Sequence, residues 1–125
     1  MIEIKDFRKL KIVFKREDGS FLTIEDVDKL INSTIDQRSI WFLRGIKHIL
    51  ENHYTEAIKR FQLVDSPDAD LLILMCSYKL QDSFILNEYK DKKTEGGEFF
   101  KSLKVSPYFY YEDEIVEKSQ PLKML

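Results

Sequence analysis

The chain has 125 residues, 34% of them charged and 43% hydrophobic, and a formal net charge of −2 at pH 7. That length suits one domain with a real core but a modest stability margin, and this balance of charged and hydrophobic residues, with only four glycines and three prolines, points to a globular rather than a disordered chain. The near-neutral charge gives no global attraction to nucleic acid or anionic lipid, and no apolar run approaches the roughly 20 residues that span a bilayer.

Charge is uneven at the start of the chain. Lys5, Arg8, Lys9, Lys11, Lys15 and Arg16 outnumber Glu3 and Asp6, whereas the next stretch, to Asp36, is acidic apart from Lys29. Leu10, Ile12 and Phe14 alternate with lysines, the period of a half-buried strand, and Glu17-Asp18-Gly19 supplies turn residues before Phe21, Leu22 and Ile24. Residues 1–24 are therefore expected to form a β-hairpin. A two-residue loop would set Phe14 against Thr23 and split the apolar faces. A three-residue loop with Gly19 left-handed pairs Phe14 with Leu22 and Ile12 with Ile24, which is the register expected here.

Thr23 with Asp26 three residues on has the form of a helix N-cap, predicting a helix over 25–33 with Val27, Leu30 and Ile31 as its apolar stripe. Thr34 and Gln37 form a second capping pair ahead of a long helix that ends near Asn52. Tyr54 to Val64 reads as the next helix. Ser66-Pro67-Asp68 is a strong start signal for a largely apolar helix to about Leu80, and Ser83 to about Lys92 continues as another. Gly96-Gly97 breaks it. Residues 98–118 are expected to be C-terminal capping helices, the second starting at Ser106-Pro107 and carrying Tyr108, Phe109, Tyr110 and Tyr111, with 119–125 as a tail. This segment packs on the preceding helices as a cap, enters the groove of another copy or is displaced by a partner, or is a disordered acidic-aromatic interaction motif.

Within the long stretch, Trp41, Gly45, Tyr54, Ala57 and Phe61 have the large-small spacing that lets two helices pack closely. These residues resemble the signature of the tetratricopeptide repeat in its 34-residue frame. Arg44 and His48 depart from it, and the second copy, over 67–90, is weaker, with Leu86 in place of a small residue and Lys90 in place of an aromatic one. The resemblance implies a mainly α fold: a short stack of antiparallel helix pairs over 35–92, in one domain, closed by the N-terminal hairpin and the C-terminal segment. It also implies a concave groove that binds a partner segment, lined by Phe42, Ile46, Ile49, Leu71, Met75 and Tyr78, with Ser39, Leu50, Asp68 and Lys79 beside them. That groove lacks the lysine and asparagine pattern with which some members of the family clamp a terminal carboxylate.

Catalytic arrangements are hard to find. His48 and His53 are five apart, whereas ligands on one helix face need a spacing of three or four, so no metal site is expected. Cys76 sits in an apolar helix beside Met75 and reads as core, and no glycine-rich phosphate loop or cofactor motif is present in the sequence. The single cysteine allows no internal disulfide, and Met1 to Lys5 lacks the apolar core of a secretory signal, so a cytoplasmic protein is expected. The expected function is a non-enzymatic adaptor or accessory subunit that binds a protein, or a second copy of itself as a homodimer, through the apolar groove. The alternative is a nucleic-acid-associated protein that contacts phosphate through Lys9, Lys11, Lys15 and Arg16, with Arg38, Arg44, Lys47, Lys59 and Arg60 as a second basic region. No membrane partner is expected.

Overall fold

Six α-helices and three β-strands occupy residues 3–116, the part of the chain described by this computed structural model; the expected 119–125 tail lies outside the described residues. The order is β1 (Lys11–Arg16), α1 (Ile24–Asn32), α2 (Gln37–Leu50), α3 (Tyr54–Gln62), α4 (Pro67–Leu80), α5 (Ser83–Tyr89), α6 (Glu98–Leu103), β2 (Val105–Tyr111) and β3 (Glu114–Val116). The protein is mainly helical, with one three-stranded antiparallel sheet in the order β1-β2-β3.

Local chemistry fixes the helix ends. Thr23 and Asp26 form a reciprocal capping box, the Thr23 hydroxyl accepting from the Asp26 N–H at 3.1 Å and the Asp26 carboxylate accepting from the Thr23 N–H at 2.9 Å. Asp36, rather than Thr34, caps α2 by accepting from the Ser39 N–H at 3.0 Å. The Thr34 hydroxyl instead donates to the Leu30 carbonyl at 2.6 Å and closes α1. Ser66 caps α4 as its sequence signal predicts, accepting from the Ala69 N–H with Pro67 in the first turn. Helices α2 and α4 end alike. Asn52 and Gln81 take positive φ (65° and 55°), and the following N–H groups of His53 and Asp82 reach back to the carbonyls of His48 and Ser77 at 2.8 and 2.9 Å. This closure satisfies the last carbonyls and turns the chain sharply into the next helix.

Packing of α2 against α3 depends on Gly45. A Cβ there would lie 2.5 Å from a Phe61 ring carbon, so only glycine lets the ring sit against the α2 backbone. Phe61 then meets Phe42 edge-on, with ring centroids 5.5 Å apart. Helix α4 carries the centre of the core: every side chain from Asp68 to Tyr78 is buried except that of Asp70, which is partly so.

Two expectations at the ends of the chain are corrected. Gly19 is left-handed (φ 89°), and the Leu22 N–H donates to the Phe14 carbonyl at 2.8 Å, so the register of Phe14 against Leu22 is as expected. The return arm, however, is only an isolated bridge between Lys15 and Phe21, because the capping box draws Ile24 into α1. The full partner of β1 is β2, with Ile12 opposite Phe109 and Phe14 opposite Pro107. The segment expected as two capping helices yields one short helix, α6, then two strands. Alternate residues Val105, Pro107, Phe109 and Tyr111 are buried, a two-residue period that a helix cannot use. Pro107 is tolerated because β3 pairs only with Phe109–Tyr111, leaving Pro107 with a strand on one side alone.

Candidate functional site

The six residues expected to line an open groove are core residues. Phe42, Ile46 and Met75 are 0% exposed, Ile49 1%, and Leu71 and Tyr78 6%. The chain's own ends cover this face. Phe99 of α6 stacks on Phe42 at 4.6 Å with Phe100 edge-on at 5.5 Å, while Phe109 of β2 and Phe7 pack on Tyr78 at 5.5 and 5.2 Å. The polar residues beside them work as clamps. The buried Asp68 carboxyl accepts from the Phe99 and Phe100 N–H groups at 2.7 and 3.1 Å, holding the start of α6. The Lys79 ammonium donates to the carbonyls of Phe7 and Arg8, and burial lowers its pKa. Ser39 and Leu50 are half-buried, the Ser39 hydroxyl donating to Asp36.

The basic residues of the N-terminal segment stand differently. Lys9 and Lys11 are exposed, and Lys15 and Arg16 are half-buried. Residues opposite one another in an antiparallel pair share a face, so Lys11 lies beside Tyr110, Val13 beside Tyr108, and Lys15 beside Ser106 on the side of the sheet turned away from the helices. Tyr108 and Tyr110 are each partly exposed there, and Phe21 meets Tyr110 edge-on at 5.9 Å. At the β1 turn end this face opens into a cavity of about 470 Å³ lined by Lys15, Arg16, Lys101, Lys104, Ser106 and Tyr108, with Glu17, Phe100 and Val105 completing its wall. Three lysines thus face Glu17, with Arg16 beside them already neutralised by Asp26.

Arg16 also pairs with Asp26 and has a buried Nε–H with no hydrogen-bond partner among the described residues. The Thr23 N–H and hydroxyl, then Arg16, hold the Asp26 carboxyl down to about 2. Lys101 and Lys104 carried no signal in the sequence, because only the antiparallel pairing of β1 with β2 brings them to Lys15. Of the second basic region expected from sequence, Arg44, Lys47 and Arg60 line one cavity with Asp28 and Glu51, whereas Arg38 and Lys59 lie apart from it. Arg38 donates to the Val64 carbonyl at 2.7 and 3.1 Å and lies over the Phe99 ring, Lys47 pairs with Asp28 at 2.8 Å, and Arg44 and Lys59 are exposed.

The remaining reactive side chains fall into two settings. Cys76 is fully buried and its thiol pKa is pushed up by desolvation, in keeping with a core role. His48 and His53, expected to be too far apart in sequence to share a site, lie with ring centroids 6.1 Å apart beside Glu51. Among the described residues no helix is long and apolar enough to cross a membrane. No protein-family model matches the chain, and no curated protein or solved structure shows significant similarity to it.

Proposed function

We propose that this chain is a non-enzymatic, cytoplasmic accessory protein that binds a phosphate-bearing strand, single-stranded nucleic acid by class, on the basic outer face of its sheet. The observation that carries this reading is the cleft at which Lys15 and Arg16 meet Lys101 and Lys104 beside Ser106 and Tyr108. Clustered cations give sequence-independent attraction to phosphate, and half-exposed tyrosines beside them offer stacking surfaces for unpaired bases. The helix pairs, tetratricopeptide-like in this reading, serve as the scaffold that holds the sheet.

The test is anisotropy of a labelled single-stranded oligonucleotide, with a polyglutamate peptide as the acidic competitor. With three or four phosphates neutralised, affinity falls roughly 20- to 50-fold between about 50 and 200 mM salt. Replacing Lys15, Lys101 and Lys104 together by glutamate abolishes binding. Binding that is insensitive to salt or to these substitutions sinks the reading, and preference for polyglutamate moves it to an acidic protein partner.

A second reading, a protein adaptor or homodimer, has its own observation. Phe84 is 80% exposed and Leu80 42% exposed, flanking the α4–α5 turn on the last helix pair. A further helix pair, from a partner or a second copy, would cover such a patch by stacking on α5 in the manner of the resembled repeats. Concentration-dependent sedimentation that is lost in Phe84→Glu supports it; a monomer at all concentrations, with no captured protein released by Phe84→Glu, rejects it.

A further inference from the structure

We infer that His48, Glu51 and His53 form a binding site for a divalent transition metal of the zinc class at the turn between α2 and α3. One ligand atom from each residue lies within 4.8 Å of the others, and His48 Nδ1 is 3.9 Å from Glu51 Oε1. Two ligands bonded at about 2.0–2.1 Å to a tetrahedral ion are about 3.4 Å apart, so the group needs to contract by up to about 1.4 Å. Glu51 is half-buried and His53 exposed, which leaves both side chains room to turn inward.

The backbone brings the pair together. Helix α2 ends at Leu50, Asn52 takes φ 65°, and the His53 N–H donates to the His48 carbonyl at 2.8 Å. The five-residue spacing, unsuited to one continuous helix face, is therefore the spacing this helix ending places side by side. His48 supplies an independent sign: its Nδ1 is buried and has no hydrogen-bond partner among the described residues, whereas buried ring nitrogens are ordinarily satisfied. A metal bond at that nitrogen would supply the missing partner.

The charges around the site are balanced before an ion binds. Glu51, Glu56 and Asp28 stand against Arg60, Arg44 and Lys47, the last held by Asp28 at 2.8 Å. Two imidazoles and one carboxylate suit Zn²⁺ and Co²⁺, and three protein ligands leave a fourth position for water or for a group from a partner.

The chain contains two histidines, both in this site, so its imidazole NMR signals report on the site alone. The experiment titrates the full chain with Zn²⁺, following heat and imidazole resonances, and repeats it with Co²⁺, following the visible absorption that reports coordination number. The expected result is one saturable site tighter than about 100 µM, both histidines shifted, and affinity weakened at least about tenfold in His53→Ala and in Glu51→Gln. Position 53 is exposed, so His53→Ala folds normally and keeps the result readable, with His48→Gln as the complementary variant. Absence of such a site, or its survival unchanged in His53→Ala and His48→Gln, overturns the assignment.

Discussion

At Gly45 the space for a side chain is already taken by the ring of Phe61. Gly45→Ala is expected to destabilise the fold by about 1–3 kcal/mol, read as a lower urea midpoint, and Phe61→Leu in the same chain should recover part of the loss. This contact was legible because the small and large residues are set by local helix geometry. Asp68 was not. Its sequence context reads as an acid near a helix N-terminus on a groove wall, whereas its carboxyl group is buried and accepts from two N–H groups about thirty residues further along the chain. Asp68→Ala leaves those donors and the Ser66 hydroxyl without their acceptor. The expected cost is roughly 3 kcal/mol, with α6 amides losing hydrogen-exchange protection before those of α4.

Among the elements, the helices were read closely because caps and stop signals act within a few residues. The Thr23–Asp26 box carries a pH dependence whose sign can be worked out. Asp26 is held at about 2 in the fold, against about 3.9 in an unfolded chain. Its contribution is present above the unfolded value and is lost as pH falls from about 4 towards 2. Denaturant midpoints measured across that range should therefore fall, and Asp26→Asn should flatten that part of the fall. The C-terminal strands were missed because Ser106-Pro107 is a start signal for a helix and is equally acceptable at the beginning of a strand. What decides is β1, whose one unfilled edge pairs with β2 along its whole length, and whose apolar face requires the alternation that Val105, Pro107, Phe109 and Tyr111 provide. The return arm of the expected hairpin lost its strand for a related reason: the helix cap at Thr23 acts one residue before Ile24 could pair.

For the whole molecule, the apolar character of these helix faces was legible and what covers them was not. Nothing local in Phe42, Ile46, Met75 or Tyr78 says whether their partner is another protein or the residues from Phe99 to Tyr111. A chain ending at Gly97 would lack that cover. It is expected to bind a hydrophobic dye strongly and to lose its cooperative thermal transition; a cooperative, dye-free truncation would mean that the helix pairs are self-sufficient. The basic cleft was half legible for the same reason, since Lys15 and Arg16 stood out in sequence and Lys101 and Lys104 reach them only through strand pairing.

The pairing of β1 with β2 also sets an order of events. Lys11 and Tyr110 are register partners, and the Tyr111 hydroxyl accepts from the Lys5 and Asp6 N–H groups at 3.2 and 3.1 Å. Helices α2 to α5 are made of contacts between near neighbours in the chain and can assemble as they emerge from the ribosome, whereas β1 must wait for a strand about ninety residues further along. Until then β1 carries an unpaired edge, and the nascent helices carry a bare apolar flank. Each molecule thus passes through an interval in which it is sticky by construction, and the docking of β2 onto β1 is what ends it.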